Sequence, residues 1–175
     1  RQASLTMLAG SKLLPDLIRG FQDRHPDIVL RIIQQVSAAE GDPLERCDLI
    51  IDSSIRPQSG PNSAVLMEEE ICLAMPVSNP LSARGSVSLP EVANEPFIGL
   101  YRGKSLRTIT DEYCSAAGFA PRVVLESDNP ATVRDLIALG VGLAFVPKVT
   151  WRGIDQDPNV VLIGIENPHC IRYVN

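Results

Sequence analysis

Residues 123–147 read Val123-Val-Leu-Glu-Ser-Asp-Asn129-Pro130-Ala-Thr-Val133-Arg-Asp-Leu136-Ile-Ala-Leu-Gly140-Val-Gly142-Leu-Ala-Phe-Val-Pro147, and this stretch decides the fold class. A short β-branched run, Val123 to Glu126, comes first. Asn129 followed by Pro130 is then a helix cap and first-turn pair: Asn accepts from first-turn amides, and Pro needs no amide there. Apolar residues at Val133, Leu136 and Ile137 keep helical spacing until Gly140, which stops the helix. Leu143 to Val146 is a second short apolar strand. Strand, helix, strand in that order is a parallel βαβ unit.

The same alternation extends in both directions. Ser4 to Ala9 reads as a strand. Leu13, Leu14, Leu17, Ile18 and Phe21 mark a helix that begins near Ser11 to Leu14, holds Pro15 in its first turn and ends before Pro26. Ile28 to Gln34 and Asp48 to Asp52 are strands, with a helical turn at Pro43 to Arg46 between them. The Ser-, Pro- and Gly-rich stretch from Ser53 to Ser63 is a loop. Ala64 to Pro76 is a strand carrying the acidic run Glu68-Glu69-Glu70, expected as a solvated edge. Leu89 to Ala93 makes a helical turn, Phe97 to Leu100 a strand, and Leu106, Ile109 and Tyr113 one face of a helix stopping at Gly118. Val160 to Ile165 and Ile171 to Val174 complete the strands. The chain is therefore an α/β protein with helices on both faces of largely parallel sheet.

Composition narrows the function. The 175 residues are long enough for one domain or two small lobes. With 16 Lys and Arg against 21 Asp and Glu, the net charge of −5 argues against a nucleic-acid grip, which needs a basic face. The apolar stretch Leu136 to Val146 falls well short of the ~20 residues that span a bilayer. No membrane partner is expected. Lys12 interrupts any leader-like apolar run near Arg1, and a start at Arg1 rather than Met suits a fragment or a processed product. The four cysteines form no C-x-x-C pattern. His169 beside Cys170 lacks the further ligands a zinc site needs, so no metal is expected. They read as reduced, buried thiols of a cytoplasmic protein.

In open α/β sheets, ligands lie where strand ends meet helix starts. Three junctions have polar residues there: Gly10-Ser11-Lys12, Arg102-Gly103-Lys104-Ser105 and Ser127-Asp128-Asn129-Pro130. At the second, Arg102, Lys104 and Arg107 crowd the positive end of a helix. A bound carboxylate or phosphate would relieve that conflict, and so would extension of the side chains into water. Gly99-x-x-x-Gly103-Lys104-Ser105 is one residue too short between its glycines for a phosphate-wrapping P-loop. Gly140-Val-Gly142 lacks the third glycine of a dinucleotide fingerprint and follows a helix instead of preceding one. No G-x-S-x-G elbow, H-E-x-x-H or acid pair is present, and His25 reads as a helix-end residue. No catalytic residue and no cofactor are expected.

Taken in order, several pieces resemble the effector-binding domain of LysR-type bacterial transcriptional regulators over nearly the whole chain. They are Leu14-Pro15-Asp-Leu-Ile-x-x-Phe21, His25-Pro26-Asp27-Ile28, Asp48-Leu-Ile-Ile51 and Glu69-Glu70-x-x-x-Leu73-x-x-Pro76-x-x-x-Pro80-Leu81. Leu89-Pro-Glu-Val-Ala-x-Glu95-Pro96-Phe97-Ile98 follows, and Val133-x-x-Leu136-Ile-Ala-Leu-Gly140-Val-Gly142-Leu-Ala-Phe-Val-Pro147 completes the set. The resemblance implies two Rossmann-like lobes joined by two crossovers, as in periplasmic binding proteins. Residues 1–76 plus 160–175 would form one lobe and 77–159 the other. It also implies a small, often anionic effector held by Ser11, Lys12, Gln35 and Ser37 on one side. Tyr101, Arg102, Ser105, Asn129, Pro130, Ala131, Pro147 and Lys148 would hold it on the other. Lys12, Arg102 and Lys148 are the expected carboxylate partners, and Tyr101 leaves aromatic acids open.

Family members pair these domains antiparallel, so a homodimer is implied, with a higher oligomer in the full-length protein. The winged helix-turn-helix lies outside this stretch, and DNA would be bound only through it. Peroxide-sensing members use two cysteines in the second lobe. Only Cys114 falls within 77–159, so disulfide switching is not expected. The alternatives are a solute-binding protein of an uptake system and a two-lobed transferase.

Overall fold

The computed structural model describes residues 1–8, 14–33, 47–151 and 153–175; the turn expected at Pro43 to Arg46 lies outside them. The chain forms two compact units. The first is Arg1–Met67 with Tyr173–Asn175, and the second is Glu68–Arg172. The chain thus crosses between units twice. Among the described residues no helix is long and apolar enough to cross a membrane.

In the first unit, β1 (Gln2–Met7) lies between β2 (Val29–Ile33) and β3 (Leu49–Ile51), all parallel. Leu5 is in register with both Ile32 and Leu49. Alternation along β1 turns Leu5 and Met7 toward α1 (Leu14–Arg24), where they meet Leu14, Ile51 and Val174 in a small core. Pro15 sits in the first turn of α1, where a missing amide costs nothing. Asp16 and Arg24 complement the helix dipole at opposite ends. His25, just past the helix, packs against Phe21 with the rings tilted by 46° and their centres 5.0 Å apart. The two-residue strand β4 (Ser53–Ser54) pairs antiparallel with the last residues of the chain.

The second unit is built on β5 (Met67–Pro76), whose residues Ile71 to Met75 are all buried. It is followed by β6 (Ser86–Ser88), β7 (Pro96–Gly99), α2 (Ser105–Ala116), β8 (Arg122–Glu126) and α3 (Pro130–Ala138). Then come β9 (Ala144–Pro147), β10 (Val160–Glu166) and β11 (Ile171–Val174). Strand β5 is flanked by β9 and β10, both antiparallel to it. β7 and β8 are parallel, as are β6 and β10. Val133 and Ile137, one turn apart on α3, pack with Ala74, Ile98, Ala144, Val146, Ile154 and Val160.

Two expectations change. The parallel alternation does not extend around β5, because β9 and β10 return alongside it in the opposite sense. The acidic run is a solvated edge only in part: Glu68 stays exposed, whereas Glu69 is 1% exposed because strand alternation turns it to the opposite, covered face. The expected lobes divide at 76/77 and 159/160; the compact units divide at 67/68 and 172/173, with β5 and β10 paired inside the second unit.

That division also places Cys72, Cys114 and Cys170 together in the second unit, all buried and free. Burial pushes their thiols up, to about 11 for Cys72 and about 12 for Cys114 and Cys170. Thiolate, the reactive form, is therefore suppressed at neutral pH.

The two glycines after α3 have separate duties. Gly140 takes φ +77° at the helix stop, a conformation other residues resist. A Cβ on Gly142 would lie 2.7 Å from the Pro96 carbonyl oxygen. That close approach lets Leu143 donate to Pro96 and accept from Ile98, joining the approach to β9 to β7.

Candidate functional site

β7 and β8 run side by side in the same direction, with Gly99 opposite Glu126. Leu143 bridges Phe97 in the parallel sense just before β9 begins. The carboxyl ends of β7, β8 and β9 therefore share one edge of the second unit. All eight described candidates lie there. Tyr101, Arg102 and Ser105 follow β7, Asn129, Pro130 and Ala131 follow β8, and Pro147 and Lys148 end β9. Ser11, Lys12, Gln35 and Ser37 lie outside the described residues.

Electrostatics separate these residues. The N-cap of α2 is Lys104, whose side chain has no acceptor to offer the first-turn amides. Arg102 is exposed beside it and makes no ion pair with any described residue. Tyr101 is 46% exposed. By contrast, α3 is capped from within, since the Asn129 side chain accepts from Ala131 and Thr132 amides at 2.9 and 3.2 Å. Asn129 thus spends its oxygen on its own helix. Pro147 is buried and shapes the edge through its backbone.

Two expected cations are already neutralised. Arg107 is no loose charge at the helix start. It is buried, bonded through Nε to Asp111 at 2.8 Å and through Nη1 to Glu126 at 3.1 Å, and it donates to the Leu100 carbonyl at 2.9 Å. Gly99 makes room for it, because a Cβ there would meet Nη1 at 2.8 Å. Lys148 is exposed but paired with Glu70 at 2.8 Å, which raises its pKa. Of the three carboxylate partners expected, Arg102 is thus the described one that remains uncommitted.

A network missed by sequence reading lies beneath the edge. Glu69 Oε1 accepts from the amides of Val149 and Thr150, at 2.8 and 2.5 Å. Its Oε2 accepts from Thr150 Oγ1 at 3.1 Å and from Arg172 Nε at 3.0 Å. Arg172 Nη2 also donates to Thr150 Oγ1 at 2.8 Å. The spacing of Arg107 and Asp111, four apart on a helix, was a readable signal for that pair. No local pattern marks Glu69 and Arg172, 103 residues apart.

A cavity of about 540 Å³ runs along the flank of α2, lined by Arg102, Arg107, Asp111, Ser115, Phe119 and Pro121 among others. It touches the candidate set only at Arg102.

Known proteins resemble this chain in sequence and fold. YybE, an uncharacterised HTH-type transcriptional regulator of Bacillus subtilis, is 32% identical over 167 residues, which cover 94% of this chain and 56% of YybE. The chain spans about half the length of the curated relatives it matches. The effector-binding domain of QuiR, solved with shikimate, superposes with a TM-score of 0.78 at 19% identity, over 99% of this chain and 86% of that one. The regulatory domain of Synechocystis CcmR, solved with 2-PG, gives 0.77 at 16%, over 99% and 86%. These superpositions establish the fold as two-lobed α/β, of the periplasmic-binding-protein kind. The family model for the LysR substrate binding domain matches residues 4–174. With parallel strand ends presenting helix starts, and with the family model spanning almost every residue, the chain belongs to the LysR substrate-binding domain family.

Proposed function

We propose that this chain senses a small anionic effector within a LysR-type transcriptional regulator, and that the bound effector alters how the full-length protein holds DNA. The observation that carries this reading is the unmatched positive end of α2. Arg102 and Lys104 stand at a helix start without a side-chain cap, while the neighbouring cations Arg107 and Lys148 are each paired. An anion there would accept from first-turn amides and from the Arg102 guanidinium together.

Shikimate, the ligand in the QuiR structure, carries a carboxylate and belongs to the chemical class this edge favours. In this reading Arg102 makes the principal charge contact, and Ser105 and Tyr101 contribute polar contacts. The α3 start shapes the wall, with its cap already occupied. Ser11, Lys12, Gln35 and Ser37 would supply the remaining contacts. The full-length regulator is cytoplasmic, pairs as a homodimer and reaches DNA through a separate segment.

The test is a thermal-shift screen against small carboxylates including shikimate, phosphates, sulfate and neutral metabolites. A ligand at 100 times its Kd adds about 2.7 kcal/mol, which is about 5 to 10 °C at this size. Arg102→Ala should weaken an anionic ligand by about 1.5 to 3 kcal/mol. A shift that survives Arg102→Ala unchanged removes Arg102 from the site, and a response confined to neutral compounds overturns the anionic reading.

A further inference from the structure

We infer that Glu69 is a coupling residue, whose one carboxylate makes the turn after β9 and both crossover strands open as a single unit. The boundary residues carry the argument. Glu69 is the second residue of the second unit on β5, and Arg172 is that unit's last residue on β11. The crossover strands are laddered on either side of this point. Leu66 donates to Val174 before it, and Ile71 donates to Cys170 after it. Between those two ladder bonds lies the Glu69–Arg172 pair, with side chains 0% and 4% exposed.

The third party is the turn Lys148–Thr150, which continues directly from the Pro147–Lys148 edge. Glu69 accepts both of its inner amides and its threonine hydroxyl. Glu70, adjacent on β5, grips the same turn twice, through its backbone carbonyl to the Lys148 amide and through its carboxylate to Lys148 Nζ. Consecutive strand residues point to opposite faces, so the turn is held from both sides of β5.

A pair serving stability alone could be exchanged for apolar residues at little loss. This carboxylate sits on β5 and has four donors from two further segments, the turn and β11, and releasing either one leaves a buried charge or amide unmatched. The segments therefore separate together. That a ligand gripping the turn would thereby act on the crossovers rests on the effector reading above; the coupling itself does not.

The test needs no ligand. Amide hydrogen exchange is measured on the intact chain and on Arg172→Met, whose change lies on β11 and takes from the turn only a side-chain bond to Thr150, leaving Glu69 Oε1, the acceptor of the Val149 and Thr150 amides, in place. The amides of Val149 and Thr150 should exchange about 100-fold faster or more, in step with Leu66 and Ile71. Ile98 and Val133, hydrogen-bonded elsewhere in the second unit, should accelerate clearly less. If Arg172→Met does not fold, Arg172→Lys retains the charge without the fork and should give the same ordering at smaller amplitude. Unchanged rates at Val149 and Thr150 would overturn the coupling. Equal acceleration at Ile98 and Val133 would do so as well, by reducing the pair to a contributor to overall stability. Success here beside a failed effector screen would retain the coupling and remove the ligand reading alone.

Discussion

Arg107 and Arg172 are both buried in the second unit, and they differ in what their partners face. Arg172 is matched by Glu69, whose side chain has no exposure. Arg107 is matched by Asp111 and Glu126, whose side chains remain 41% and 40% exposed. Carboxylates that reach water are rehydrated when their arginine moves, whereas a sealed carboxylate keeps only neutral donors, here the Val149 and Thr150 amides and the Thr150 hydroxyl. The chain thus places a sealed pair at the crossovers and a partly open one under the Leu100–Lys104 loop. A third pair, Arg84 with Glu91, lies at the solvent-exposed end of the series.

The largest effect should come from Arg172→Met, which strands the Glu69 charge. We expect about 3 to 5 kcal/mol of destabilisation by urea titration, and a loss under 1 kcal/mol would erase the contrast with Arg107. Gly99→Ala ranks next. Its methyl group must displace the pinned Arg107 guanidinium and crowds a Val123 methyl at 3.2 Å, at about 1 to 3 kcal/mol. Arg107→Met should cost roughly 1 to 2 kcal/mol, because its partners regain water. If the clash runs through Arg107, the double variant Gly99→Ala/Arg107→Met will cost clearly less than the sum of the singles.

The smallest effect is a pH dependence. Bonds from the Arg84 side chain and the Ser88 amide hold Glu91 at about 2, below its usual 4.5. A carboxylate lowered in the folded state contributes stability above about 4.5 and loses it as the pH falls toward 2. Glu91→Gln should therefore differ from the parent in urea midpoint at pH 6, with the gap closing between pH 4.5 and 2. A gap that persists at pH 2 would assign the effect to something other than this charge.

The same contrast explains what the sequence made legible. Helix α3 and its flanking strands were readable because Asn129, Pro130 and Gly140 act on their immediate neighbours. The parallel edge holding Tyr101, Arg102 and Asn129 followed from that alternation. The burial of Glu69 was not readable, since the run Glu68-Glu69-Glu70 has the composition of a wet strand and its arginine arrives from the far end of the chain. The antiparallel neighbours of β5 were hidden for a related reason: nothing local reveals that β9 and β10 return beside it. Lys148 entered the candidate set through the resemblance, and its bond to Glu70, 78 residues away, had no local signal. Half of the Arg107 story was available in the four-residue step to Asp111, and the other half, Glu126, waited on the pairing of β7 with β8.

The buried thiols have a practical consequence. Cys72 lies on β5, Cys114 on α2 and Cys170 just before β11, and each is shielded from solvent. Nature has thereby planted three time-stamped reporters at distinct points of one compact body, with half-buried Cys47 as a reference in the other. Pulses of a maleimide under native conditions, followed by mass mapping of the modified peptides, would give the order in which these elements loosen without a single engineered label.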